Sequence, residues 1–186
     1  MATEIEKKYR LSAEQRDAVL RKLSEKGISA SKNEFEVNTL YTGGTLQETH
    51  SILRLRRVDN AATLTYKHRF GFGSGVKHQK EEESRVEDPE AIDAILRAVG
   101  FTPALVYEKR RSTFPVEDVE LVVDELPFGL YMEIEGNEDS IERVERLLGL
   151  ENLEVEHASY PQLTRSLGQQ VEERVEARFP KNGAVA

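Results

Sequence analysis

The feature that most constrains how this chain can fold is an alternation of ionisable with apolar residues, renewed along most of its length. Near the start, Glu4, Glu6, Lys8 and Arg10 alternate with Ile5, Tyr9 and Leu11. Successive side chains of an extended strand point to opposite faces, so such a segment has one charged face and one mostly apolar face. The pattern returns where Arg54 and Arg56 interleave with Leu53 and Leu55, and where Thr65, Lys67 and Arg69 lie opposite Leu64, Tyr66 and Phe70. It continues with Glu81 and Glu83, with Lys109 and Arg111, with Asp124 beside Val122 and opposite Leu121 and Val123, and with Glu133 and Glu135 against Met132 and Ile134.

Between these stretches lie helix signals. Ser12 and Gln15 fit a capping box ahead of Val19, Leu20 and Leu23, and Gly27 supplies a stop. Asp88-Pro89 opens a second helix whose Ile92, Ile95, Leu96 and Val99 are expected to face a core. Further helices are expected over 140–148 and 161–178, the latter from Leu163, Leu167, Val171 and Val175. The reading is an α+β fold: about eight antiparallel strands closed into a barrel with helices packed outside. One domain over 1–168 is expected, followed by a helix end and flexible tail over 169–186.

A solvated outer face explains such alternation on any single strand. Taken together, the strands require more, because helices covering the apolar faces of a closed sheet turn the charged faces inward. Six bases and seven carboxylates lining a lumen cannot form a dry core, since each unpaired buried charge costs several kcal/mol. Lys and Arg suit a polyanion, with Arg forking onto phosphate oxygens. Carboxylates alone would repel that anion, but they make sense if Mg²⁺ or Mn²⁺ bridges them to phosphate. A metal-bound polyphosphate fits both.

The ordered series Glu4-x-Glu6-x-Lys8, Arg54-x-Arg56, Lys67, Glu81-x-Glu83, Lys109-x-Arg111, Asp124 and Glu133-x-Glu135, with Gly100-Phe101 and Ser159-Tyr160, resembles the CYTH family, the triphosphate tunnel metalloenzymes. The resemblance covers roughly residues 3 to 165. It implies an eight-stranded antiparallel tunnel, dependence on Mg²⁺ or Mn²⁺, and a substrate such as inorganic triphosphate, ATP or thiamine triphosphate. It makes Lys8, Arg54, Arg56, Lys67, Lys109 and Arg111 a phosphate clamp. Glu4, Glu6, Glu133 and Glu135 would hold metal, with Asp124 and Glu81 or Glu83 around a second metal or the attacking water. The run Glu81-Glu82-Glu83 leaves the facing residue open by one position.

The leading function is hydrolysis of a triphosphate. The alternatives are a class IV adenylyl cyclase, which makes cyclic AMP and pyrophosphate from ATP, and a non-catalytic polyphosphate or nucleotide-binding module. Cyclases of the family carry a His-Phe pair shortly before the first Glu, whereas Met1-Ala2-Thr3 precede it here. Carboxylates weigh against mere binding, for which bases suffice.

Other classes are disfavoured. A net charge of −8 argues against neutralising the phosphates of a long nucleic acid. Absence of cysteine removes thiol catalysis and zinc-thiolate sites and fits a reducing compartment. No apolar run approaches the roughly 20 residues needed to span a bilayer, and the start lacks a basic-then-apolar leader, so a cytoplasmic protein with no membrane partner is expected. His50, His68, His78 and His157 have no ligand spacing, and Gly71-x-Gly73-x-Gly75 reads as a loop rather than a phosphate cradle. The C-terminal apolar stripe leaves a homodimer contact open.

Overall fold

The computed structural model describes residues 5–59, 61–70 and 78–180. In chain order its first elements are β1 (Ile5–Leu11), α1 (Ala13–Glu25), β2 (Lys32–Thr42), β3 (Ser51–Val58), β4 (Ala61–Phe70), β5 (His78–Val86) and α2 (Pro89–Ala98). There follow β6 (Thr102–Val116), β7 (Val119–Leu126), β8 (Gly129–Gly136), α3 (Glu138–Leu148), β9 (Glu154–Val155), α4 (Tyr160–Leu167), β10 (Gln169–Val171) and β11 (Arg174–Ala177). This is an α+β fold with a large antiparallel sheet and four helices, and the eight long strands are those expected from the alternation. The Gly71–Gly75 loop lies outside the described residues. No described helix is long and apolar enough to cross a membrane.

Two compact units make up the chain, and β2 and β6 each run from one into the other. The first unit holds Met1–Phe35 and Lys109–Ser159. Its strands pair antiparallel in the order β6-β7-β8-β1-β9. Their apolar faces present Tyr9, Leu11, Leu121, Val123, Met132 and Ile134 to Val19 and Leu23 of α1 and to Ile141, Val144 and Leu148 of α3. Ser12 closes the expected capping box with Gln15, and Asn137 caps α3, which ends at Gly149 in the left-handed conformation (φ 58°). With this face buried under helices, the opposite phase of each strand is left for charge.

The second unit holds Glu36–Glu108 and the chain from Tyr160 onward. Here β5-β4-β3-β2 pair antiparallel, and Leu53, Leu55 and Ala62 pack with Tyr41, Leu46 and Leu96. A Cβ on Gly43 (φ +123°) would collide with the Gly100 carbonyl oxygen, and Phe101 packs against Gly44, so the Gly43-Gly44 turn needs its glycines.

Two expectations change, and a third is not met by any described pairing. Helix α2 caps on Asp88 as expected, but Ile95 and Val99 are exposed; Leu96 with partly buried Ile92 makes the core contact. The helix expected to reach 178 ends at Leu167, and 169–177 instead forms a hairpin of β10 and β11, with β11 parallel to β6. A four-residue apolar spacing satisfies period two as well as a helix, and a Cβ at Gly168 would meet the Thr164 and Glu176 carbonyls, so the chain turns there into strand. The single helical stripe that suggested a homodimer face is therefore absent. Finally, among the described residues β5 pairs only with β4 and β9 only with β1; no described pairing closes a barrel.

Candidate functional site

In the first unit the register places Glu6 opposite Glu135 and Lys8 opposite Glu133 across β1 and β8, with Val122 opposite Glu133 and Arg111 opposite Asp124 on the neighbouring strands. These residues share the strand phase that faces away from the helix-covered core. Arg111 donates from Nε to Asp124 Oδ1 at 2.8 Å and from Nη2 to Asp124 Oδ2 at 2.5 Å, and the same Nη2 reaches Glu133 Oε2 at 2.6 Å. Lys8 Nζ stands 3.3 Å from Glu133 Oε1 and 3.8 Å from Glu6, and Lys109 Nζ stands 3.6 Å from Asp124. The Asp124 side chain is 0% exposed.

This set is a buried, alternating-sign network. Burial, reinforced by the charges of Glu6 and Asp124, pushes the Glu133 carboxyl above the usual carboxylate range against the pull of Arg111 and Lys8. Glu6 and Glu135 are exposed at the open end of the network, and Glu4 lies outside the described residues. Asp124, expected near a metal or the attacking water, here spends both oxygens on Arg111. No group of three or more His, Asp or Glu side chains gathers tightly enough to hold a metal ion among the described residues. The donor chemistry of Glu6, Glu133 and Glu135, hard carboxylate oxygens alternating on paired strands, nonetheless suits Mg²⁺ or Mn²⁺.

The second unit carries Arg54 and Arg56 on β3, Thr65 and Lys67 on β4, and Glu81 and Glu83 on β5. Cross-strand neighbours are Arg54 with Thr65, Thr65 with Glu83, and Lys67 with Glu81. Lys67 Nζ pairs with Glu81 at 2.8 Å, while Arg54 and Arg56 each approach Glu83 only to 3.8 Å. Burial and then the like charge of Arg56 pull Arg54 below the ordinary arginine value. The hydrogen bond from Thr65 is the largest cause holding Glu83 below the usual carboxylate range, helped by both arginines. The register puts Glu81 and Glu83 together on the basic face, and Glu82 pairs with Lys80 instead.

Two polar residues on this face, Glu36 and Asn38, escaped the sequence reading, and a third, Thr65, was placed on it without a role. Thr65 is fully buried, and on β2 Glu36 and Asn38 are buried and joined by a 3.1 Å hydrogen bond, with Asn38 opposite Arg56. Their strand phase was the available signal, since Lys32, Glu34 and Glu36 alternate like the other charged faces, while Thr and Asn carry no charge for such a search to find. A cleft of about 470 Å³ in the first unit, between α1 and the Arg110, Ser112, Val123 side of the sheet, involves only Arg111 of the expected residues. It belongs to the opposite strand phase.

A protein of Methanocaldococcus jannaschii proposed to be an adenylate cyclase is 26% identical over 151 residues, which span 77% of this chain and 83% of that one. Among solved structures, a Pyrococcus horikoshii protein is 25% identical with a TM-score of 0.67, covering 88% of this chain and 99% of that one. A proposed adenylyl cyclase from Hippeastrum, described as having a dominant triphosphatase activity, is 24% identical with a TM-score of 0.63, covering 88% and 96%; it supports the fold. The sequence profile of the CYTH domain matches residues 2–161, taking in every strand that carries the interleaved bases and carboxylates, and the chain belongs to the CYTH domain family.

Proposed function

We propose that this protein is a divalent-metal-dependent hydrolase of a triphosphate, most simply inorganic triphosphate, acting through a domain over 1–168 whose eight long strands close into a tunnel. The observation that carries the reading is the interleaving of bases with carboxylates on the strand faces turned away from both helix-covered cores. A phosphate-binding surface needs only the bases. Carboxylates of both units retained beside them are accounted for by a cation that arrives with the anion.

In this reading Arg54, Arg56 and Lys67, with Lys8, Lys109 and Arg111, hold the phosphate oxygens and neutralise charge that develops on the transferring phosphoryl group. Asp124 fixes the fork of Arg111 and the ammonium of Lys109. Glu6, Glu133 and Glu135, together with Glu4, would hold Mg²⁺ or Mn²⁺, which would supply Lewis-acid stabilisation of the negative charge on the phosphate. Glu81 and Glu83 orient the water that attacks.

A cyclase reading draws support from the similarity to proteins proposed as adenylate cyclases. Product analysis by ³¹P NMR separates the two. With Mg²⁺ or Mn²⁺ the hydrolase releases orthophosphate from triphosphate. The cyclase instead yields pyrophosphate and cyclic AMP from ATP, and tight binding with neither product would leave a binding module.

A further inference from the structure

Thr65 sits within β4, 0% exposed, with Arg54 across one strand and Glu83 across the other. Its hydroxyl donates to Glu83 Oε1 at 2.7 Å and accepts a long hydrogen bond from Arg54 Nη2 at 3.4 Å. The same Glu83 oxygen is 3.8 Å from Arg54 Nη2 and 3.8 Å from Arg56 Nη2, too far for a hydrogen bond to either. A carboxylate beside two guanidiniums ordinarily closes a forked pair at roughly 2.7–2.9 Å. Here the carboxylate's shorter contact goes to a neutral hydroxyl, and it closes on neither guanidinium; Arg54 Nη2 is engaged only by that same hydroxyl, at 3.4 Å.

We propose that Thr65 is a positioning residue: by tethering Glu83 it stops the carboxylate from closing onto Arg54 and Arg56, whose donors then face phosphate oxygens with no competing carboxylate. The inference rests on the triphosphate reading of this face. The Thr65 hydroxyl also holds the Glu83 carboxyl below the usual carboxylate range. Without the tether, the same charge becomes a competitor of the substrate. The loss of phosphate affinity on removing the hydroxyl should therefore depend on the charge of Glu83, which a packing defect at Thr65 would not.

The test measures the dissociation constant of inorganic triphosphate by calorimetry in EDTA, well below the melting temperature of each protein. The set is wild type, Thr65→Val, Thr65→Ser, Glu83→Gln and the double variant Thr65→Val/Glu83→Gln. Thr65→Val should weaken binding about tenfold, the scale of one hydrogen bond. Thr65→Ser should bind within about twofold of wild type, and the double variant within about twofold of Glu83→Gln. Wild-type affinity in Thr65→Val, failure of Ser to rescue, or a tenfold loss that persists without the Glu83 charge would overturn the proposal. Wild-type protein that binds triphosphate yet releases no orthophosphate with Mg²⁺ or Mn²⁺ contradicts the hydrolase reading, and the five binding constants still decide Thr65. Failure of wild type to bind metal-free triphosphate in EDTA overturns the Thr65 proposal alone, because the hydrolase reading stands or falls on orthophosphate release with Mg²⁺ or Mn²⁺.

Discussion

The two charged faces are written in the same alternating code and are built differently. In the first unit Arg111 clamps Asp124 and Glu133 at 2.5–2.8 Å, and Lys8, Lys109, Asp124 and Glu133 are all buried. In the second, Arg54 and Arg56 stand 3.8 Å from a Glu83 that is itself exposed. A buried network is a preorganised arrangement in which each member depends on the others, because removing one leaves an uncompensated charge out of water. A looser face gives up little stability when one member goes and keeps its donors for a ligand. The proposed metal ligands Glu6, Glu133 and Glu135 all belong to the first unit, and the loosely approached Arg54 and Arg56 to the second.

The sharpest way to break that division is to change one carboxylate on each face. Glu133→Gln removes a proposed metal ligand and should lower metal-dependent turnover by about 100- to 1000-fold with the fold intact by circular dichroism. Next in size, Asp124→Ala strands Arg111 and Lys109 and should cost about 3–5 kcal/mol in urea denaturation. Glu83→Ala, on the exposed face, should cost less than about 1 kcal/mol. Equal losses in these two variants would erase the distinction between the faces. Arg54→Ala should act on binding, raising the KM for triphosphate about 10- to 100-fold, the worth of one charge-assisted hydrogen bond, while its denaturation midpoint moves little.

The smallest effect is in the pH dependence of metal-free protein, where the two faces should have opposite signs. Glu83 is held below the ordinary range, so its share of stability is present above about pH 4.3 and is lost as pH falls through its folded value. Glu133 is raised, so its share is full below about pH 4.3 and is lost as pH rises through its folded value. Denaturation midpoints across pH should show a smaller acid-side loss in Glu83→Gln than in wild type. Glu133→Gln should show a smaller loss as pH rises from that point. The same sign in both variants would contradict the assigned directions.

Much of this was legible in the sequence, for a physical reason. Strand alternation has period two whatever the tertiary context, so Glu6 with Lys8, Arg54 with Arg56 and Glu133 with Glu135 could be placed on common faces before any pairing was known. The capping box at Ser12 and Gln15 is equally local. Register is not local: that Arg111 bridges Asp124 and Glu133, or that Thr65 meets Glu83, depends on which strand lies beside which and at what offset. The C-terminal segment failed because Leu163, Leu167, Val171 and Val175 fit a helix and a strand equally well, and only pairing of Val175 with Leu105 decides between them. On α2, helical spacing was right about the element but spread the core face too far, since Ile95 and Val99 lie beyond the stripe that Leu96 and Ile92 bury.

The central claim, that the carboxylates of the first unit bring in the cation that turnover requires, is tested most directly by orthophosphate release from inorganic triphosphate. The assay titrates Mn²⁺ or Mg²⁺ into EDTA-stripped wild type, Glu6→Gln and Glu133→Gln. The account predicts no release from wild type in EDTA, saturable release as metal is added, and no restoration of wild-type turnover in either variant at any metal concentration. Release from wild type in EDTA, or wild-type turnover in both variants, would contradict it.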